Sequence, residues 1–301
     1  MYAPIVLFVY NRPQNTKDIL YSLSECDYAK NSDLFIFSDA PKNDESIVKV
    51  KQVRKIINDK YWHKMFNSVK IFENKINKGL ANSIISGVTK IINIYGRVIV
   101  IEDDNKVTID FLDYMNRGLT FYEDDKSIGM IGGYSVPIKI PNDYKHDVYK
   151  MGRGSSYAWA SWKDRWDKID WQIKDYDKFK NNKKMRREFN HYGHDRCYML
   201  DNQMKGRIDS WAIRFGYSMY KNKMYAILPV VTKVENFGFD GSGVHNVAGE
   251  TKFINHISNN KRKVHFENVK VDERIRKEYV KKFNPNLITR IKRAIKALFN
   301  D

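Results

Sequence analysis

Three consecutive acids, Glu102, Asp103 and Asp104, end an otherwise apolar run, Arg97-Val-Ile-Val-Ile-Glu-Asp-Asp104. Carboxylate oxygens suit hard divalent cations, and Mg²⁺ or Mn²⁺ is typically held by one or two carboxylates together with substrate phosphates. Arg12, Asp39 and the stretch Asn77-Lys-Gly-Leu-Ala-Asn82 follow three earlier apolar runs. Arg12 and Lys78 have the charge to meet phosphates, but both also read as ordinary loop cations on a basic surface. The acid triplet likewise has a plain alternative, a charged turn that stops a strand. Asp209 lies between Ile208 and Trp211. An apolar setting there would raise its pKa and make it a usable proton acceptor, whereas a helix N-cap is its structural alternative.

The elements that must position these residues alternate in type. Pro4 to Tyr10, Asp33 to Asp39, Ser68 to Glu73 and Val98 to Ile101 are short runs rich in branched and aromatic residues, which read as strands buried on both faces. Between them Ile19, Leu20 and Leu23, then Val50, Val53, Ile56 and Ile57, then Leu80, Ile84, Val88, Ile91 and Tyr95 recur at helical spacing. Alternation from residue 4 to about 104 predicts right-handed crossovers and a mostly parallel sheet flanked by helices. In such sheets ligands bind outside the carboxyl ends of the strands, so the loops bearing Arg12, Asp39, Lys78 and the triplet should meet at one edge. Neither G-x-G-x-x-G nor G-x-x-x-x-G-K-[ST] occurs, leaving a Rossmann dinucleotide site and a Walker loop unsupported.

The later chain is less regular. Phe111, Leu112, Met115, Leu119 and Tyr122 fit a helix, Ile128 to Tyr134 a short strand, and Tyr225 to Val231 a last strand. Gly152 to Trp166 mixes small residues with Trp159, Trp162 and Trp166. Trp162 and Trp166, four apart, suggest a core helix, and Trp159 is the better surface candidate for a sugar ring. Lys174 to Arg187 reads as a solvated basic loop or helix face, and His191 and His194 lack zinc-ligand spacing. Asn236 to His245, with three glycines, describes a loop able to order over a ligand, with Asp240 and His245 available to it. Leu287 to Phe299 is a basic amphipathic stripe. It suits an anionic membrane surface, and equally the protein's own core or a second subunit.

With 301 residues and 42% apolar content the chain can bury a proper core, and 53 Lys and Arg against 36 Asp and Glu give +17. That charge attracts nucleic acid, anionic lipid or a phosphorylated small molecule, without choosing among them. Cys26 and Cys197 lie far apart without metal-ligand spacing, which argues against a disulfide scaffold and fits a reducing cytoplasm. Pro4 to Tyr10 is too short to span a bilayer, and no basic segment precedes it. The expectation is a cytoplasmic protein, at most peripheral at the inner face of the cytoplasmic membrane.

Tyr10-Asn-Arg-Pro13, Ile36-Phe-Ser-Asp39, Asn77-Lys-Gly-Leu80, Ile101-Glu-Asp-Asp104, Ala158 to Trp166, Ile208-Asp-Ser-Trp211 and Asn236 to His245, in that order, resemble GT-A-fold glycosyltransferases. More narrowly they are similar to bacterial sugar transferases akin to the animal N-acetylglucosaminyltransferase I catalytic domain, over residues 4 to about 246. The resemblance implies a GT-A fold, Rossmann-like, with a C-terminal acceptor-side portion. Its expected division is a nucleotide-sugar half (1–105), an acceptor and catalytic half (106–250) and a basic extension (251–301). It implies a UDP-sugar donor, Mn²⁺ or Mg²⁺ at Asp104, and inversion at the anomeric carbon. Asp103 takes a ribose or supporting role, Asp39 the uracil-facing position, and Tyr10, Arg12 and Lys78 the nucleotide side. Asp209 stands where the related enzyme keeps its base, although this chain has Asp209-Ser210 in place of two consecutive acids. Trp159, Trp211, Asp240 and His245 are the acceptor or loop candidates. The expected partners are a nucleotide-sugar and a saccharide acceptor, lipid-linked if the tail meets a membrane, in bacterial surface polysaccharide synthesis, with no nucleic acid. A sugar nucleotidyltransferase is one rival, although that class opens with a glycine-rich loop where this chain has Tyr10-Asn-Arg-Pro13. A basic nucleic-acid-binding protein is another, and it leaves acids at a strand end unexplained. Its affinity would fall steeply with salt.

Overall fold

A computed structural model describes residues 2–238, 253–258 and 261–284. The first hundred residues wind as anticipated. β1 (Ile5–Val9) has all five residues buried, and α1 (Pro13–Ser24) follows with a proline at its first turn and Ile19, Leu20 and Leu23 buried. β2 (Asp33–Ser38) leads to α2 (Asp44–Ile57), which starts at a reciprocal cap between Asn43 and Ser46. The short α3 (Trp62–Met65) precedes β3 (Ser68–Glu73). α4 (Leu80–Tyr95) lies between Gly79 and Gly96, at φ +73° and +75°, a region L side chains enter only with strain. β4 (Arg97–Glu102) then brings the acids to the edge.

Downstream come β5 (Asn105–Val107), α5 (Phe111–Phe121), β6 (Ile128–Gly132), β7 (Val148–Met151) and β8 (Trp159–Trp162). They are followed by α6 (Lys163–Trp166), α7 (Tyr176–Lys180), α8 (Lys183–Phe189), α9 (Arg196–Met204) and α10 (Trp211–Lys221). β9 (Tyr225–Pro229), β10 (Val234–Asn236) and α11 (Glu273–Phe283) complete the described elements. The eight-stranded sheet has the order β3-β2-β1-β4-β8-β6-β9-β7. β3, β2, β1 and β4 run parallel, as do β6 and β9; β8 is antiparallel to both its neighbours, and β7 to β9. The chain is therefore a mixed α/β protein on a mostly parallel central sheet flanked by helices. A separate antiparallel pair joins β5 to β10, setting Asn105 opposite Asn236 and Val107 opposite Val234.

The tryptophan-rich stretch departs from its expectation. Trp159 to Trp162 form an inner strand, and only Lys163 to Trp166 are helical. Because β8 lies between β4 and β6 with both faces covered, Trp159 is 0% exposed, and its ring stacks on those of Trp166 (5.7 Å) and Trp211 (5.2 Å). Trp159 is thus a core residue, not a surface platform, and Trp211, 3% exposed, packs beside it. The basic segment after residue 174 is mostly helical, anchored by buried Phe179 and Phe189 in a second small core with Leu200 and Tyr217. Residues 261–284 pack against the main body: Phe266 stacks on Tyr114 at 5.3 Å, and α11 buries Ile275, Tyr279 and Val280. Among the described residues no helix is long and apolar enough to cross a membrane. The stripe from 287 to 299, and with it Asp240 and His245, lies outside the described residues.

Candidate active site

The loops after β1, β2, β3 and β4 meet at one edge of the sheet, and hydrogen bonds tie them into two adjoining clusters. The first is built on Asp39, which is 7% exposed. Its Oδ1 accepts from the backbone N–H groups of Ala40 and Lys78 and from Asn74 Nδ2, each at 3.0 Å. Its Oδ2 accepts from Lys78 N and Gly79 N, both at 3.0 Å. The carboxylate's acceptor positions are thus taken up by the chain itself. Asp39 fastens the β3–α4 loop, and Lys78 is held by its backbone with its side chain exposed. Asn77 Nδ2 reaches Ala40 O at 2.6 Å, and Tyr10 Oη accepts from Lys42 N at 2.9 Å, closing the floor.

Asp39→Ala would orphan the buried N–H of Ala40 together with the part-buried donors of Asn74, Lys78 and Gly79, and a fully buried orphan costs about 1–3 kcal/mol. A loss of about 2–4 kcal/mol in unfolding free energy is expected from denaturant titration. A loss under about 1 kcal/mol would mean the loop does not depend on this carboxylate.

The second cluster is the acid triplet. Asp103 and Asp104 are 7% and 9% exposed. One oxygen of each is pinned to the scaffold: Asp103 Oδ2 accepts from Tyr10 N at 3.1 Å, and Asp104 Oδ1 from Asn105 Nδ2 at 3.1 Å. The other oxygens, Asp103 Oδ1 and Asp104 Oδ2, converge on a single nitrogen, Arg12 Nη1, at 3.3 and 3.2 Å. The β5–β10 pair supports this arrangement. Asn236 Nδ2 donates to Asn105 Oδ1 at 3.2 Å, and Phe237 N donates to Asp104 O at 2.7 Å. The first residues of the glycine-containing stretch, Asn236 to Gly238, are thus tied to the triplet, and its remainder lies outside the described residues. A groove of about 590 Å³ runs beside it, lined by Asp18, Glu25, Asp103, Asn105 and Phe237 among others. A larger one, about 770 Å³, lies around Arg97 at the opposite end of β4 and contains none of these acids.

Burial, and after it the neighbouring Asp104, lift Asp103 to about 7 against the pull of Arg12. Burial also raises Asp104, opposed by Arg12, and raises Glu102 well above its ordinary value with help from both aspartates. Three crowded carboxyls share one guanidinium, and such a site is short of positive charge. Asp103 therefore opposes folding when ionised: the folded chain keeps a proton that the unfolded chain has released. Its contribution falls from about pH 4 to 7 by roughly 1.4 kcal/mol per pH unit and is constant above that. Melting in EDTA should show wild type losing stability relative to Asp103→Asn across this window. Parallel profiles would contradict the assignment.

Among the described residues no three His, Cys, Asp or Glu side chains are grouped to hold a metal. The donor set is two carboxylates whose outward oxygens face one point, which fits a hard divalent cation completed by phosphate and water. Asp209 is not where the sequence suggested. Its side chain is 57% exposed rather than apolar in setting, and Oδ1 accepts from Arg214 Nη2 at 2.8 Å. Ser210, not Asp209, caps α10 by accepting from Ile213 N. The supporting amides Asn105 and Asn236 carry no sequence signal of their own, because strands of three residues are too short for periodicity.

No protein-family model and no curated protein sequence matches the chain. Among solved structures it aligns with S. aureus TarS at 11% identity and a TM-score of 0.43, covering 78% of this chain and 36% of that one. TarS 1–349 in complex with UDP-GlcNAc aligns at 11% and 0.40, covering 78% and 58%. The complex of TarS 1–349 with UDP aligns at 11% and 0.42, covering 78% and 60%. The chain thus spans less than two thirds of each of these structures.

Proposed function

We propose that the chain is a metal-dependent, inverting glycosyltransferase of the GT-A class that moves a hexose or an N-acetylhexosamine from a UDP-sugar to a saccharide acceptor of a bacterial surface polysaccharide. The observation that carries this reading is the convergence of Asp103 Oδ1 and Asp104 Oδ2 on one point at the carboxyl edge of the parallel half-sheet. Asp103 and Asp104 would hold Mn²⁺ or Mg²⁺, which when bound neutralises charge on the departing diphosphate. The loop fastened by Asp39 and the backbone of Tyr10 shape the nucleotide floor, with Arg12 and the exposed Lys78 near the diphosphate. Residues 1–105 form the nucleotide side and 106–250 the acceptor side. Asp209 serves as the base that takes the acceptor hydroxyl's proton; its exposure leaves it open to an incoming acceptor. The stripe at 287–299 would bring a lipid-linked acceptor within reach of the inner membrane face.

A panel of nucleotide-sugars, assayed for donor hydrolysis with and without Mn²⁺, tests this. Hydrolysis of a UDP-sugar that stops in EDTA is expected. Preference for another nucleotide, or indifference to EDTA, would overturn the reading.

A further inference from the structure

Arg12 pairs differently from Arg153 and Arg186, two other half-buried arginines that meet carboxylates. Arg153 grips Asp195 with two nitrogens at 2.7 and 3.0 Å, and Arg186 grips Asp201 at 2.9 and 2.8 Å. Both are forked pairs of the kind that lock structure. Arg12 instead offers Nη1 to two carboxylates at 3.3 and 3.2 Å, long for charge-assisted bonds. Its backbone is fixed, since Arg12 O accepts from Thr16 N and Thr16 Oγ1, both at 2.9 Å. Nη1 occupies the point at which Asp103 Oδ1 and Asp104 Oδ2 converge, and a divalent cation held by both carboxylates would have to take that place.

We infer that Arg12 is a resident counter-cation: it holds the acid pair ready in the empty protein, gives way to the metal, and moves onto the diphosphate. This rests on the glycosyltransferase reading above. Its consequence is coupling. Metal alone must displace the guanidinium, whereas metal arriving with nucleotide finds it already engaged, so each ligand raises the other's affinity.

The test is Mn²⁺ binding to the full chain with and without UDP, followed by the electron paramagnetic resonance of free Mn²⁺. It is run at pH 8.5, above the value near 7 of Asp103. UDP should tighten Mn²⁺ binding to wild type by at least roughly tenfold. Arg12→Gln should bind Mn²⁺ alone roughly tenfold more tightly than wild type, and its gain on adding UDP should shrink by a similar factor. Arg12→Lys keeps a charge over the acids and safeguards the fold; it should shift both quantities in the same direction by less. If wild type binds Mn²⁺ with UDP but both variants match it in each state, the displacement is wrong and the glycosyltransferase reading stands. If wild type binds Mn²⁺ in neither state, both fall.

Discussion

Asp104→Ala is expected to lower donor turnover by on the order of 10³-fold, since a bound cation supplies several kcal/mol of charge stabilisation and each 1.4 kcal/mol is tenfold. The protein should stay folded. Removing one carboxylate from a crowded, buried group relieves repulsion, Arg12 keeps Asp103 as a partner, and Asn105 Nδ2 keeps its bond to Glu102 O at 3.0 Å. Steady-state hydrolysis of the preferred UDP-sugar, with a melting curve on the same sample, separates loss of chemistry from loss of structure. Near-normal turnover in a folded Asp104→Ala protein would remove the metal site from the account.

Asp209→Asn should lower sugar transfer by roughly 10²–10⁴-fold, the usual contribution of a general base, while leaving donor affinity unchanged. Asparagine preserves the shape and can still accept from Arg214, so the interaction at 2.8 Å survives in form and only the basic oxygen is lost. The Arg214 guanidinium keeps the carboxylate company without burying it. The readout is the split between transfer and binding: transfer collapses and the Kd for UDP does not move. A variant with full transfer would show that the base lies elsewhere, and a parallel loss of UDP binding would make Asp209 a structural residue.

The parallel half of the fold was legible because burial on both faces leaves a simple trace. Ile5 to Val9 and Val98 to Ile101 are unbroken apolar runs, and every one of those residues is buried. The meeting of Arg12, Asp39, Lys78 and the acids also followed from topology, since parallel strands place all their following loops at one edge. What the loops do there was less legible. Asp39 looks like any loop acid until the backbone of Lys78 and Gly79 closes around it. Trp159 misled for a related reason: an inner antiparallel strand next to small residues has no pattern that distinguishes it from an exposed aromatic face. Asp209 misled because apolar neighbours in sequence, Ile208 and Trp211, do not bury it: its side chain stays 57% exposed beside Arg214. The β5–β10 pair, which props Asp104 through Asn105 and Asn236, depends on a register between residues about 130 apart in the chain. No local pattern reports such a pairing.

The central claim is that Asp103 and Asp104 together grip a cation that grips a diphosphate. Crystals soaked in manganese chloride and UDP test it most directly, by anomalous scattering at the manganese edge. The account predicts one strong peak between the two carboxylates, in contact with the diphosphate. UDP bound without that peak, or manganese lodged away from Asp103 and Asp104, would contradict it.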